Sequence, residues 1–314
     1  MSQQSETTRV VVIGTGFVGS SICYATMIQG LCSELVLIDV NQEKALGEAM
    51  DLEHGLSLLS TPMKVWAGTY DDCATADVIV ITAGLAQKPG QTRTELAGIN
   101  AKIVSGIIEE ITKRTRDAII LMVANPVDVM TLVALKKSGL PSSQVFGSGT
   151  VLDSARFRYF LSQHFKVNPK NIHGYIIGEH GDSEVAYLSH TNISGEPIEQ
   201  LKEYDGGVVK EIAERTKMAA YEIIQKKGAT YYGIGIAAAE LIKSILQDSD
   251  CVFPVSTLLA GQHGISDVCL SIPAVVGRGG VKRILDLHLS EEEKEGLVKS
   301  AESLKIIFSA IDGQ

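Results

Sequence analysis

Four side chains, His180, Asp153, Arg156 and Arg93, have the types and surroundings that acid–base and anion chemistry require. His180 stands in Ile176-Ile177-Gly178-Glu179-His180-Gly181-Asp182-Ser183, where an apolar run ends in glycines. A histidine in such a turn is unobstructed and can exchange a proton near neutral pH. Asp153 and Arg156 are three residues apart in a helical pattern from Val151 to Phe165, so they project from one face. Alone, such a pair reads as a solvated ion pair that contributes little. Beside a proton-transferring histidine each has a separate use. The carboxylate holds the ring by its other nitrogen and stabilises the imidazolium. The guanidinium grips a substrate carboxylate bidentately, in a geometry lysine cannot match. Arg93 closes Gly84-Leu85-Ala86-Gln87-Lys88-Pro89-Gly90-Gln91-Thr92-Arg93, a polar Gly/Pro loop after an apolar run. Such a loop suits a lid, whose arginine would polarise a carbonyl while closure excludes water.

A second constellation lies near the N-terminus. Gly14-Thr15-Gly16-Phe17-Val18-Gly19 follows a strand-like run and opens a helical one, the context in which a Gly-x-Gly-x-x-Gly loop binds a dinucleotide. Gly14 permits the tight turn, Gly16 lets the backbone approach a pyrophosphate, and Gly19 allows close helix–strand packing. The helix N-terminus, through Phe17 and Val18, offers oriented N–H groups and a positive dipole end. Asp39 lies 20 residues beyond Gly19 at the end of the next strand-like run. A carboxylate there accepts from a ribose diol and repels a 2′-phosphate, which favours NAD over NADP.

These residues need a sheet to hold them. Arg9 to Ile13, Glu34 to Ile38, Val78 to Thr82 and Ala118 to Val123 are apolar on both faces, as strands of a buried parallel sheet are. Helical patterns separate them: Phe17 to Leu31, Gln42 to Leu59, Thr94 to Thr115 and Val127 to Ser138. This alternation predicts an α/β fold with a doubly wound parallel sheet, the Rossmann arrangement, over residues 1–147. After about Gly147 the pattern changes. The helix Val151 to Phe165 precedes strands at His173 to Ile177 and Glu184 to Ser189, then helices at Gly207 to Lys227 and Tyr232 to Gln247. Strand-like runs at Cys251 to Leu259, Asp267 to Val276 and Val281 to Leu285 lead to a last helix, Glu291 to Ala310, with a Ser290/Glu293 capping box. Residues 148–314 thus read as an α+β substrate-binding and catalytic domain.

Composition excludes several classes. The 314 residues are 45% hydrophobic, enough for a full core, and carry a net charge of −9, which disfavours nucleic acid and anionic membranes. Five scattered cysteines without a C-x-x-C pair suggest neither a disulfide frame nor a zinc site, so no metal is expected. No export signal or membrane-length apolar run is visible, and a cytoplasmic protein is expected. Gly277-Arg278-Gly279-Gly280 reads as a hairpin turn rather than a phosphate loop, and His54, His164 and His263 receive no role.

Gly14 to Gly19, Gln87 to Arg93, Ala124-Asn125-Pro126-Val127-Asp128, Asp153 to Arg156 and Gly178 to Asp182 together resemble the L-lactate/malate dehydrogenase family, in order and over nearly the whole chain. The resemblance implies hydride transfer between NAD and a small 2-hydroxy or 2-keto acid, with the L configuration. It implies His180 as proton donor and acceptor at the substrate oxygen, Asp153 as its orienting partner, Arg156 as carboxylate anchor and Arg93 as polarising lid residue. Asn125 would contact the nicotinamide side of the site, and Thr230 would line the substrate side-chain pocket.

Gln87 separates the two substrates. In the family the matching lid residue faces the substrate's far end, Arg in malate enzymes and Gln in lactate enzymes. A second carboxylate buried opposite a neutral amide lacks a charge partner, and about two to four decades of preference for the mono-acid follow. The sequence therefore looks more like a lactate than a malate dehydrogenase. Arg158 and His173 match positions where bacterial members activated by fructose-1,6-bisphosphate place basic groups around phosphates at a subunit interface, which implies a homotetramer. Two readings come from other classes: a non-catalytic NAD-sensing module would not require His180, Asp153, Arg156 and Arg93, and an NAD-dependent glycosidase resembles a longer chain with a metal-binding Cys and His, from which activity without added metal would separate this one.

Overall fold

The computed structural model of the chain describes residues 7–86 and 92–311, with Arg93 by its backbone alone. Six strands form the expected parallel sheet: β1 (Arg9–Ile13), β2 (Glu34–Ile38), β3 (Lys64–Ala67), β4 (Val78–Ile81), β5 (Ile119–Met122) and β6 (Val145–Gly147). They lie in the order β3-β2-β1-β4-β5-β6. The helices α1 (Phe17–Ile28), α2 (Gln42–Gly55), α3 (Arg93–Thr112) and α4 (Val127–Ser138) connect strands on the two faces.

Strands β3 and β6 escape the sequence pattern for a physical reason. Lys64-Val65-Trp66-Ala67 lies at an edge and Lys64 is exposed, while Val145-Phe146-Gly147 is too short to show a period. Helices α1 and α2 also end earlier than expected. α1 stops at Ile28 because Gly30 turns the chain with φ +61°, and α2 gives way to a 3-10 turn at Leu56–Leu58.

Both faces of the central strands are buried. Val11 and Ile13 pack with Ile79, Ile81, Ile108 and Leu304 into one core, and Val10 and Val12 with Val78, Val80, Ile22 and Ile242 into the other. Each fully buried aliphatic side chain stabilises the fold by roughly 1.5–3 kcal/mol. With no polar face for water to reward, register is held by two cores at once.

The second half comprises α5 (Val151–Phe165), β7 (Ile172–Ile177), β8 (Val185–Ile193), β9 (Glu196–Pro197), α6 (Gly206–Lys227) and α7 (Tyr232–Gln247). It ends with β10 (Cys251–Ala260), β11 (Ser266–Gly277), β12 (Gly280–Ile284) and α8 (Glu291–Ile311). The last three strands do not make a separate sheet. β10 pairs antiparallel to β6 through Ser256 and Gly147, so the main sheet has nine strands, while β7, β8 and β9 form a second, small sheet. Gly277 and Gly280 close the β11–β12 hairpin as the sequence suggests. Ser290 and Glu293 form their reciprocal cap, with Glu293 N–H donating to Ser290 Oγ at 3.3 Å and Ser290 N–H donating to Glu293 Oε2 at 2.8 Å. Among the described residues no helix is long and apolar enough to cross a membrane, and no group of three metal-binding side chains is arranged to hold a metal ion.

Candidate active site

At the carboxyl ends of β1 and β2 the chain forms a cavity of about 490 Å³, lined by Gly14, Gly16, Asp39, Lys44, Thr82 and Leu85 among others. Gly14 has φ +101°, a conformation that favours glycine. A Cβ on Gly19 would lie 1.9 Å from the Gly14 carbonyl oxygen, so only glycine lets α1 sit this close to β1. Gly16, by contrast, has open space where its Cβ would be, and no side chain caps the first turn of α1. That turn therefore presents its backbone amides and dipole to an anion. Val18 is partly buried against the core, whereas Phe17 is exposed and stacks on Tyr231 with centroids 5.1 Å apart.

Asp39 is fixed from two sides. Its Oδ2 accepts from Thr15 N–H at 2.6 Å and from the Thr15 hydroxyl at 3.0 Å, and its Oδ1 accepts from Asn41 N–H at 2.9 Å. Burial works to raise its pKa, but these donors outweigh it and hold the carboxyl below the usual range. Asp39 is not the cap of α2, because Asn41 takes that part by accepting from Lys44 N–H. An ionised carboxylate at this edge fits a ribose diol and opposes a phosphate.

The second constellation meets where α5, the turn after β7 and α4 come together. Asp153 is buried and bridges two partners. Its Oδ2 lies 2.6 Å from His180 Nδ1, and its Oδ1 accepts from the Arg156 guanidinium at 2.8 Å. The sequence reading gave the two α5 residues separate tasks. The structure shows that they also pair with each other, which locks both rotamers. Burial would raise the Asp153 pKa, yet His180 and Arg156 together hold it low. Asp153 in turn raises the His180 pKa against the desolvation that would lower it, with smaller support from Asp128 and Glu184, to about 9. The His180 side chain remains 28% exposed, so its far ring nitrogen can be reached from outside. Gly178 and Gly181, at φ +88° and +157°, shape the turn that presents it.

Two positioning residues were not assigned from sequence. Asp128, on α4, accepts the His180 backbone N–H at 2.8 Å and is itself buried, which pushes its carboxyl up to about 6. Asn100, on α3, accepts from Leu85 N–H at 2.8 Å and donates to the Asn125 carbonyl at 2.7 Å, tying the start of the lid segment to the end of β5. Asn100 showed in the sequence only as polarity inside an apolar helical pattern, and Asp128 stood in the Ala124 to Asp128 segment without a role of its own.

Asn125 itself is exposed, before the cis peptide to Pro126. Thr230 is partly buried between the glycine cap of α6 at Gly228 and the start of α7, and no hydrogen bond joins it to His180 among the described residues. Gln87 lies outside the described residues. Arg93 begins α3 rather than a loop interior, one residue after the Thr92 cap, and its side chain is likewise outside the description. Arg158 is partly buried on α5 beside Tyr175, where burial lowers its pKa, and His173 is exposed on β7.

The chain matches known proteins over nearly its whole length. Residues 8–147 match the lactate/malate dehydrogenase NAD-binding domain and residues 150–311 the lactate/malate dehydrogenase α/β C-terminal domain. L-lactate dehydrogenase 1 of Clostridium acetobutylicum is 48% identical over 309 residues, covering 97% of this chain and 98% of that protein. The L-lactate dehydrogenase of Macrococcus caseolyticus is 49% identical over 302 residues, covering 95% and 96%. The crystal structure of the minor L-lactate dehydrogenase of Enterococcus mundtii with ligands bound superposes with a TM-score of 0.95 at 44% identity, covering 97% of this chain and 98% of that one. Sequence and backbone together place the chain in the lactate/malate dehydrogenase family, as an NAD-dependent 2-hydroxy-acid dehydrogenase.

Proposed function

We propose that this enzyme is an L-lactate dehydrogenase, interconverting pyruvate and L-lactate. The observation that carries the chemistry is the Asp153 carboxylate bridging His180 and Arg156. His180, held by Asp153, gives a proton to the keto oxygen in reduction and takes it back in oxidation. Arg156 uses one guanidinium nitrogen on Asp153 and keeps the others for the substrate carboxylate. Arg93 polarises the carbonyl, Asn125 borders the nicotinamide side, and Thr230 lines the side-chain pocket. NAD, when bound along Gly14, Gly16, Phe17, Val18, Gly19 and Asp39, supplies or accepts the hydride. Residues 1–147 would bind it and residues 148–314 the substrate.

The choice of lactate over malate rests on Gln87 and on relatives that carry the lactate name. The deciding measurement is NADH oxidation with pyruvate and with oxaloacetate, each with and without fructose-1,6-bisphosphate. Pyruvate preferred by two decades or more supports the reading, whereas an oxaloacetate preference transfers it to malate. In the same assay Gln87→Arg should move the preference toward oxaloacetate by about two decades, since the second carboxylate gains a charged partner. Unchanged selectivity would remove Gln87 from the argument.

Arg158 and His173 are the proposed fructose-1,6-bisphosphate site. A partly buried arginine without an acidic partner among the described residues favours an anionic ligand. The bisphosphate would neutralise basic groups across a homotetramer interface and favour the assembled, active state. Exposed apolar side chains along α1 and α7, including Tyr24, Ile28 and Ile236, support self-association. The unpaired thiols fit a reducing cytoplasm.

A further inference from the structure

We infer that Ser300, on the last helix, is a positioning residue of the proton-transfer site: its hydroxyl closes a hydrogen-bonded ring with Glu179 and Ser183 that clamps the turn holding His180. The inference rests on the role proposed above for His180.

His180 stands in the turn between β7 and β8, with Glu179 before it and Ser183 after it. Both neighbours reach α8. The Glu179 backbone N–H donates to Ser300 Oγ at 2.6 Å, and Ser183 Oγ lies 3.2 Å from Ser300 Oγ. The Ser183 hydroxyl also donates to Glu179 Oε2. A hydroxyl carries one proton, and Ser183 commits its own to the carboxyl group, so Ser300 supplies the proton of the 3.2 Å bond. The three bonds then run head to tail, from the Glu179 N–H through Ser300 and Ser183 back to the Glu179 side chain. Glu179 and Ser300 are buried, so a group removed from the ring would leave its partner unsatisfied away from water.

Close packing of α8 supports the same contact. A Cβ on Gly178 would lie 2.8 Å from Ser300 Oγ, and one on Gly296 would lie 3.0 Å from a Val185 methyl. The two glycines let α8 touch both ends of the turn. Gly178 also exchanges two 2.8 Å backbone bonds with Ser271 of β11, and Asp128 accepts the His180 N–H at 2.8 Å. These fix the entrance of the turn, and the ring carries the hold across His180 to Ser183. What it protects is the 2.6 Å approach of His180 Nδ1 to Asp153 Oδ2, a bond that tolerates little displacement. The helix itself is seated separately, because Ser189 donates to Glu293 through its N–H at 2.9 Å and its hydroxyl at 2.7 Å. Opening the ring therefore frees the turn without undocking α8.

The test compares Ser300→Ala, Ser183→Ala and the double variant in steady-state pyruvate reduction, beside an NADH titration and NMR of histidine-labelled enzyme. Ser300→Ala should lower kcat by about one to two decades, the scale for a displaced catalytic group. KM for pyruvate and the affinity for NADH should stay, since Arg156 and the glycine loop lie on other elements. The downfield proton of the His180–Asp153 bond, identified by its absence in His180→Asn, should shift. The double variant should lose little more than the larger single loss, because either change opens the same ring. If Ser300→Ala does not fold, Ser183→Ala, at the less buried end of the ring, carries the same test. A variant that melts earlier but keeps kcat per folded molecule overturns the inference, as do single losses that multiply in the double variant. If the wild type does not reduce pyruvate, the functional reading falls. The His180 signal then decides for the ring, a shift in Ser300→Ala keeping it and an unchanged signal overturning it.

Discussion

His180→Asn should lower turnover by on the order of four decades while NADH binds with unchanged affinity. Asparagine keeps a polar side chain of similar size but cannot shuttle a proton. It also leaves a buried Asp153 oxygen without the ring that now lies 2.6 Å away. The cofactor surface on α1 and β2 is built from other residues, with Asp39 held by Thr15 and Asn41. Stopped assays with pyruvate and lactate, beside a fluorescence titration of NADH, separate the two effects. Retained turnover would overturn the proton-transfer assignment. The intact enzyme should show the matching pH signature. Reduction needs the imidazolium, so it should decline as pH rises through about 9, and oxidation, which needs the neutral ring, should rise over the same window.

Arg156→Leu should lower kcat/KM for pyruvate by on the order of three decades, mostly through KM. The substrate carboxylate would be left unpaired, and Asp153 would lose the guanidinium that now donates to it at 2.8 Å. Removing one partner of a buried ion pair costs about 3–5 kcal/mol, which sets the scale. Arg156→Lys distinguishes charge from shape. A lysine still offsets Asp153, so the His180 midpoint should stay near its original value, but it cannot make two parallel bonds to a carboxylate. About one to two decades of loss should therefore remain. A lysine variant with full activity would show that Arg156 acts only as a charge, and a leucine variant with normal KM would remove it from the substrate site.

The sequence by itself determined the strand–glycine–helix unit at Gly14 to Gly19 and the acid at Asp39, and it singled out His180, Asp153 and Arg156 as candidates. Each depends on local pattern: strands buried on both faces show as unbroken apolar runs, and only glycine suits φ +101° at Gly14 or the packing at Gly19. The spacing of Asp153 and Arg156 on one helix likewise fixed that they share a face. It could not bring His180 beside them, because 27 residues separate Asp153 from His180 and only the packing of α5 against β7 closes that distance.

The tertiary structure alone decided the rest. The edge strand β3 and the three-residue β6 carry too little periodicity to be read, yet β6 is where β10 joins the main sheet. Asp128 and Asn100 are polar residues in helical patterns, and their importance comes from long-range bonds to the His180 and Asn125 backbone. Residue types and short spacings follow from local geometry, whereas the charge state of a group depends on what the whole fold brings around it, and no local pattern records that.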